Sequence, residues 1–206
     1  MIAQVLETEA VVLDRQQSGD NWMLLTCFSA ERGNLVCMQR QSRRASAATP
    51  VLDLFDEVQL TLETRNHGRT WFVKEATTLA RRTALGRSYE SLRHACRFAR
   101  VLARNAVAEE SRLPVRTLLA RAITAWETHQ RPDSVYFKCI YLLTRDEGYP
   151  VRESWWQGLE SADRALVDSI LGEPAAAQTT SEADVARLTS ALEAFVRDET
   201  DIRLDS

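Results

Sequence analysis

The chain has 206 residues, of which 45% are hydrophobic and 27% charged, and its formal net charge is -3. That length suits one large domain or two small ones. No run of 18 apolar residues occurs, which argues against a membrane-spanning helix, and the opening MIAQVLETEA lacks the basic-then-apolar pattern of a secretory signal.

The first 80 residues read as β-structure. Val5 to Leu13, Trp22 to Phe28, Leu35 to Met38, Val58 to Thr64 and Thr70 to about Thr78 are five short runs rich in β-formers. Val58, Leu60 and Leu62 alternate with Gln59, Thr61 and Glu63, the period of a half-buried strand. Turn residues separate the runs: Ser18-Gly-Asp-Asn21, Glu31-Arg-Gly-Asn34 and Asn66-His-Gly68. Arg40 to Pro50, with three arginines and many small residues, reads as a mobile loop. Five strands with hairpin turns and one long connection suit a small closed barrel, either the oligonucleotide/oligosaccharide-binding (OB) fold or an SH3-like one.

From about Ser88 the period becomes helical. Tyr89, Leu92, Cys96, Ala99 and Leu102 line one face, and Arg93, Arg97, Arg100 and Arg104 a neighbouring one. A second helix carries Val115 to Trp126, with Pro114 as a first-turn proline. A third carries Tyr136, Phe137, Ile140 and Leu143, capped by Asp133 or Ser134 and ended by Gly148 and Pro150. A fourth spans Ala162 to Leu171, and Ser181 with Asp184 resembles a capping box for a last helix. The fold class expected is α+β: a five-stranded OB-fold barrel over residues 1–82 and an α-helical domain over 83–206.

Charge is unevenly spread. Residues 32–104 hold 14 basic against 6 acidic side chains, whereas from Asp146 onward 14 acidic face 5 basic. Such asymmetry hints at a polyanion-facing region and an acidic remainder. Arg32, Arg40, Arg43, Arg44, Arg69, Lys74, Arg81 and Arg82 fall in barrel loops and strand ends, and Arg93 and Arg97 on the first helix. Arginine's planar fork matches phosphate, and each phosphate neutralised releases counterions. Single strands also need stacking platforms, for which Trp22, Phe28, Trp71 and Phe72 are candidates, at most two of them facing a base.

No catalytic constellation is found: there is no GxGxxG, Walker loop, GxSxG or HExxH, and His67, His94 and His129 are solitary. Cys27, Cys37, Cys96 and Cys139 form no CxxC pair and read as buried small hydrophobes in a reducing compartment. The expectation is therefore no enzyme, no cofactor and no metal.

The order of these features resembles the RecO family. Glu9-Ala-Val-Val-Leu13 looks like its first strand, and Ser18-Gly-Asp-Asn21 with Met23-Leu-Leu-Thr26 like its acidic turn and second strand. Ser29-Ala-Glu-Arg-Gly33, the basic Arg40 to Arg44 with Ser46, and Pro50 to Leu60 follow in place. Phe137 to Pro150, then Ile202-Arg-Leu204 with Ser206, looks like the family's helical segment and end. Many members carry four zinc-binding cysteines just after that helical segment, but Val151 to Glu173 here contains none.

The resemblance implies a cytoplasmic, nucleoid-associated mediator of DNA repair and recombination. It would bind single- and double-stranded DNA, anneal complementary strands and assist RecA loading with RecR. It also implies docking of the acidic tail of single-stranded-DNA-binding protein, for which Arg116, Arg121, Tyr136, Lys138 and Tyr141 are the candidate notch. The alternatives are an adaptor that binds RecR or single-stranded-DNA-binding protein with little DNA affinity, and an enzyme with a non-obvious site.

Overall fold

A computed structural model describes residues 4–41, 50–64 and 69–204. The chain divides into two compact units, Met1–Arg82 with Ala106–Arg116, and Thr83–Asn105 with Thr117–Ser206.

In the first unit the described residues form five strands: β1 (Gln4–Gln17), β2 (Trp22–Ser29), β3 (Gly33–Arg40), β4 (Glu57–Thr64) and β5 (Trp71–Ala80). They close into a barrel in the order β1-β2-β3-β5-β4, with β4 returning to β1. The fourteen residues of β1 pair with both β2 and β4, and a short parallel contact between β3 and β5 completes the circle. This is the five-stranded Greek-key barrel of the OB type. Leu6, Ala10, Val12, Met23, Leu25, Cys27, Leu35, Cys37, Val58, Leu60 and Leu62 fill it. Strands β1, β3 and β5 all extend beyond the runs that apolar pattern marks out. The turn between β2 and β3 needs Gly33, whose φ is +68° and whose missing Cβ leaves room for the Arg112 guanidinium. Arg112 donates to the Glu31 carbonyl at 2.9 Å.

Glu57, at the start of β4, accepts hydrogen bonds from Arg82 and from Arg116, the latter at 2.8 Å. Burial alone would raise this carboxyl, but the two guanidiniums outweigh it and hold it below its ordinary 4.5. One acidic side chain thus ties the end of β5 and the Ala106–Arg116 segment to the barrel.

The second unit holds α1 (Tyr89–Arg104), most of α2 (Arg112–Glu127), α3 (Pro132–Asp146), α4 (Ser161–Gly172) and α5 (Glu182–Glu199). Ser88 caps α1 and Ser181 caps α5, the latter accepting from the Asp184 N–H at 3.1 Å. The first-turn place of Pro114 agrees with the sequence reading, whereas the start of the third helix differs from it. Helix α2 begins at Arg112, so Pro114 lies inside its first turn, where no intrahelical N–H bond is lost. Helix α3 begins at Pro132 after Arg131, which adopts a left-handed φ of 43°. Asp133 does not cap it; the Arg131 guanidinium holds its carboxylate at 2.9–3.0 Å. Trp155 lies in a π-helical turn, Val151–Trp156, and packs on Phe137 and Tyr141.

His94, on α1, is buried against the Tyr136 ring, with Arg93 donating toward its Nε2 at 3.2 Å. Burial, then the neighbouring Arg93 and Arg97, lower its pKa to about 4 against the weaker pull of Glu90 and Asp133. It lines a cleft of about 370 Å³ between α1, the start of α3 and α5.

Replacing Glu57 with Gln should destabilise the full chain by about 1–3 kcal/mol in urea unfolding, because two guanidiniums lose their anion. Because its folded value is depressed, its contribution is complete above pH 4.5 and is lost as pH falls below that. The same sign holds for His94, whose contribution is complete above 6.5 and drains as pH falls toward 4. An NMR titration should therefore place the His94 imidazole midpoint near 4, and a midpoint at 6.5 would contradict its burial. Replacing His94 with Gln should flatten the stability slope across that interval.

Candidate nucleic-acid interface

Strand alternation sorts the barrel's side chains. On β2, residues Met23, Leu25 and Cys27 point inward, leaving Trp22, Leu24 and Thr26 on the outer surface. On β3 the inward set is Leu35, Cys37 and Gln39, and the outer set Val36, Met38 and Arg40. Register then assembles the outer residues: Trp22 lies opposite Arg40, Leu24 opposite Met38, and Met38 opposite Phe72. Trp22 and Phe72 meet edge to face with centroids 5.8 Å apart. Val36 is 39% and Phe72 41% exposed, high values for side chains of their size.

The result is an apolar, partly aromatic face across β2, β3 and β5. Because β3 and β5 run parallel there, Arg40 and Lys74 each stand two residues beyond the Met38–Phe72 pair. Both are exposed. Lys74 forms an ion pair with Glu63 at 2.8 Å, whereas Arg40 has no carboxylate within ion-pair distance among the described residues. By contrast the outer positions of β1 and β4 include Glu7, Glu9, Gln59 and Thr61, a polar and acidic surface.

The ten cations singled out in the sequence do not all join this face. Arg69 is exposed two residues before Trp71. Arg32 is exposed at the opposite end of β3, a full strand length from Arg40. Arg81 donates to the Val51 carbonyl at 3.1 Å, and Arg82 holds Glu57, both at the far end of β5. In the helical unit, Arg93 pairs with Glu90 at 2.6 Å and Arg97 with Glu193 at 2.8 Å. Arg43 and Arg44, with the loop and the Asn66-His-Gly68 turn around them in the sequence reading, lie outside the described residues.

Among the four candidate platforms, Phe28 is fully buried and Trp71 packs against the barrel core, leaving Trp22 and Phe72 outside. The apolar companions Val36, Met38 and Leu24 were missed by the sequence reading. Their signal was available, since they occupy the positions alternate to the inward set.

The tail-docking notch requires correction. Tyr136 and Tyr141 are 1% and 3% exposed, closed within the helical core. The Tyr136 hydroxyl donates to Glu193 at 2.8 Å. Arg116 is engaged by Glu57, and Lys138 donates to the Glu173 carbonyl. Arg121 alone of the five is exposed. The cysteines are free thiols, with Cys27, Cys37 and Cys139 buried and Cys96 half-buried. No described helix is long and apolar enough to cross a membrane.

No curated protein matches the chain. Residues 1–82 match the family model for the recombination protein O N-terminal domain, the same stretch that supplies all five barrel strands and the outer face. Residues 1–82 are thus similar to the N-terminal domain of recombination protein O, which supports a role in recombination and repair.

Proposed function

We propose that the chain is a recombination mediator that acts by binding, with no covalent chemistry of its own. It takes single- and double-stranded DNA, anneals complementary strands, and assists RecA loading together with RecR and the tail of single-stranded-DNA-binding protein. The observation that carries the reading is the Trp22–Phe72 pair on an exposed sheet face, flanked by Arg40 and Lys74. Aromatic side chains stack on any base, and cations beside them hold the backbone regardless of sequence. Annealing then needs only that repulsion between two phosphate backbones be screened while their bases remain accessible. Docking of the acidic tail does not use Tyr136 or Tyr141, since neither reaches the surface.

One observation favours the adaptor reading. Lys74, Arg82, Arg93 and Arg97 are each already paired with a carboxylate, which reduces the cations ready for phosphate. A protein that captures RecR or single-stranded-DNA-binding protein while failing to retard DNA would support that role instead.

Fluorescence anisotropy with a labelled oligothymidylate separates the two. Affinity should fall steeply as salt rises from about 50 to about 200 mM. Trp22→Ala and Phe72→Ala should each weaken binding by about 1–3 kcal/mol, the usual cost of losing one base-stacking partner. Arg40→Ala should weaken binding to all sequences alike and make its salt dependence shallower. Dissociation constants untouched by all three substitutions would remove this face from the site.

A further inference from the structure

We infer that Lys74 is an exchangeable cation, held by Glu63 while the outer face is empty and transferred to a backbone phosphate when a strand lies across Phe72. The inference rests on the reading of this face as a single-strand platform and adds a means of controlling its grip. Three observations carry it. The β4–β5 register steps from Thr61 opposite Glu75 to Leu62 opposite Val73, so Lys74 is the extra residue of a β-bulge. Bulges re-aim a side chain, and here Lys74 and Glu75 are both exposed between the inward Val73 and Ala76. The re-aimed ammonium lies 2.8 Å from the Glu63 carboxylate. Glu63 in turn lies directly opposite Phe72 in the strand register.

A nucleotide stacked on Phe72 therefore brings its phosphate into the neighbourhood of both charges. The Lys74 side chain is 55% exposed and Glu63 17%, so the cation is the accessible partner and the carboxylate the anchored one. Ion pairs with so exposed a member are weak, worth about two- to fivefold in an equilibrium constant. A phosphate that also releases counterions can displace the carboxylate. Breaking the Lys74–Glu63 pair offsets part of the phosphate contact, so Glu63 lowers the affinity through Lys74. A carboxylate so placed keeps a bound strand releasable, which annealing requires once a complementary strand arrives.

The test is a double-mutant cycle on the full chain, with oligothymidylate binding measured by anisotropy over a range of NaCl concentrations. E63Q should bind about two- to fivefold tighter than wild type at fixed salt. K74Q should bind more weakly, with a slope of log affinity against log salt shallower by about 0.7. E63Q/K74Q should bind no tighter than K74Q, because the effect of Glu63 acts through Lys74. Equal tightening by E63Q in both backgrounds would reveal general charge removal and overturn the inference, as would unchanged affinity of E63Q. If E63Q fails to fold, a K74Q slope equal to that of wild type overturns it independently. Wild type that binds and is weakened by Trp22→Ala, with E63Q silent, defeats only the exchange; wild type that does not bind defeats the platform as well.

Discussion

An alternating strand can bury one face only, and closure of the sheet decides which. Once β1 pairs with both β2 and β4 and β3 meets β5, every strand must send one set of side chains to a common interior. The other set faces away from that interior, and apart from Val11, Leu13 and Phe28, which are buried, much of it is left outside. On β1 and β4 that remainder is largely carboxylate, amide and hydroxyl, as solvation favours. On β2, β3 and β5 it is Trp22, Leu24, Val36, Met38 and Phe72, which solvation does not favour. Apolar residues kept outside a filled core are a cost to stability that binding can offset.

Carboxylates divide the cations into two kinds. Glu57 sits between Arg82 and Arg116, and Glu193 accepts from both Arg97 and the Tyr136 hydroxyl. In both cases the carboxylate is mostly enclosed and the partners join chain segments distant in sequence. These arginines work on the fold. Arg40 and Lys74 stand on the open face instead, and in the Lys74–Glu63 pair the cation is the accessible member. Arginine count alone cannot separate the two kinds, since composition is blind to which anion each side chain meets.

The local features of the fold were legible and the distant ones were not. Runs of β-formers marked all five strands, and Gly33 and Ser181 marked a turn and a cap, because each rests on chemistry within a few residues. The bulge at Lys74 was hidden, as it depends on the register of β4 against β5. The pairing of Arg97 with Glu193 spans 96 residues and leaves no periodic trace. Tyr136 and Tyr141 were named beside Arg116, Arg121 and Lys138 as an apolar notch for the acidic tail. Val135, Tyr136, Phe137, Cys139, Ile140, Tyr141 and Leu143 are buried on every side of α3, and a helix apolar all round belongs in a core. At the site, the two outward aromatics were among four named, and only the folded structure tells them from Phe28, which is fully buried, and Trp71, which packs on the barrel core.

A net charge of -3 weighs less against polyanion binding than it first does. At physiological ionic strength exposed charges are screened beyond about 8 Å, so a strand on the barrel responds chiefly to the side chains it touches. The outer face offers a cationic guanidinium on β3 and an ammonium on β5 on the same strands as its stacking surface, while the acidic excess lies mainly from Asp146 onward in the sequence. The chain's net acidity still bears on long-range approach at low salt, where screening weakens. Affinity held by few cations and two aromatics is modest per nucleotide and indifferent to sequence. Those properties suit a protein that must hold any strand and then release it to its complement.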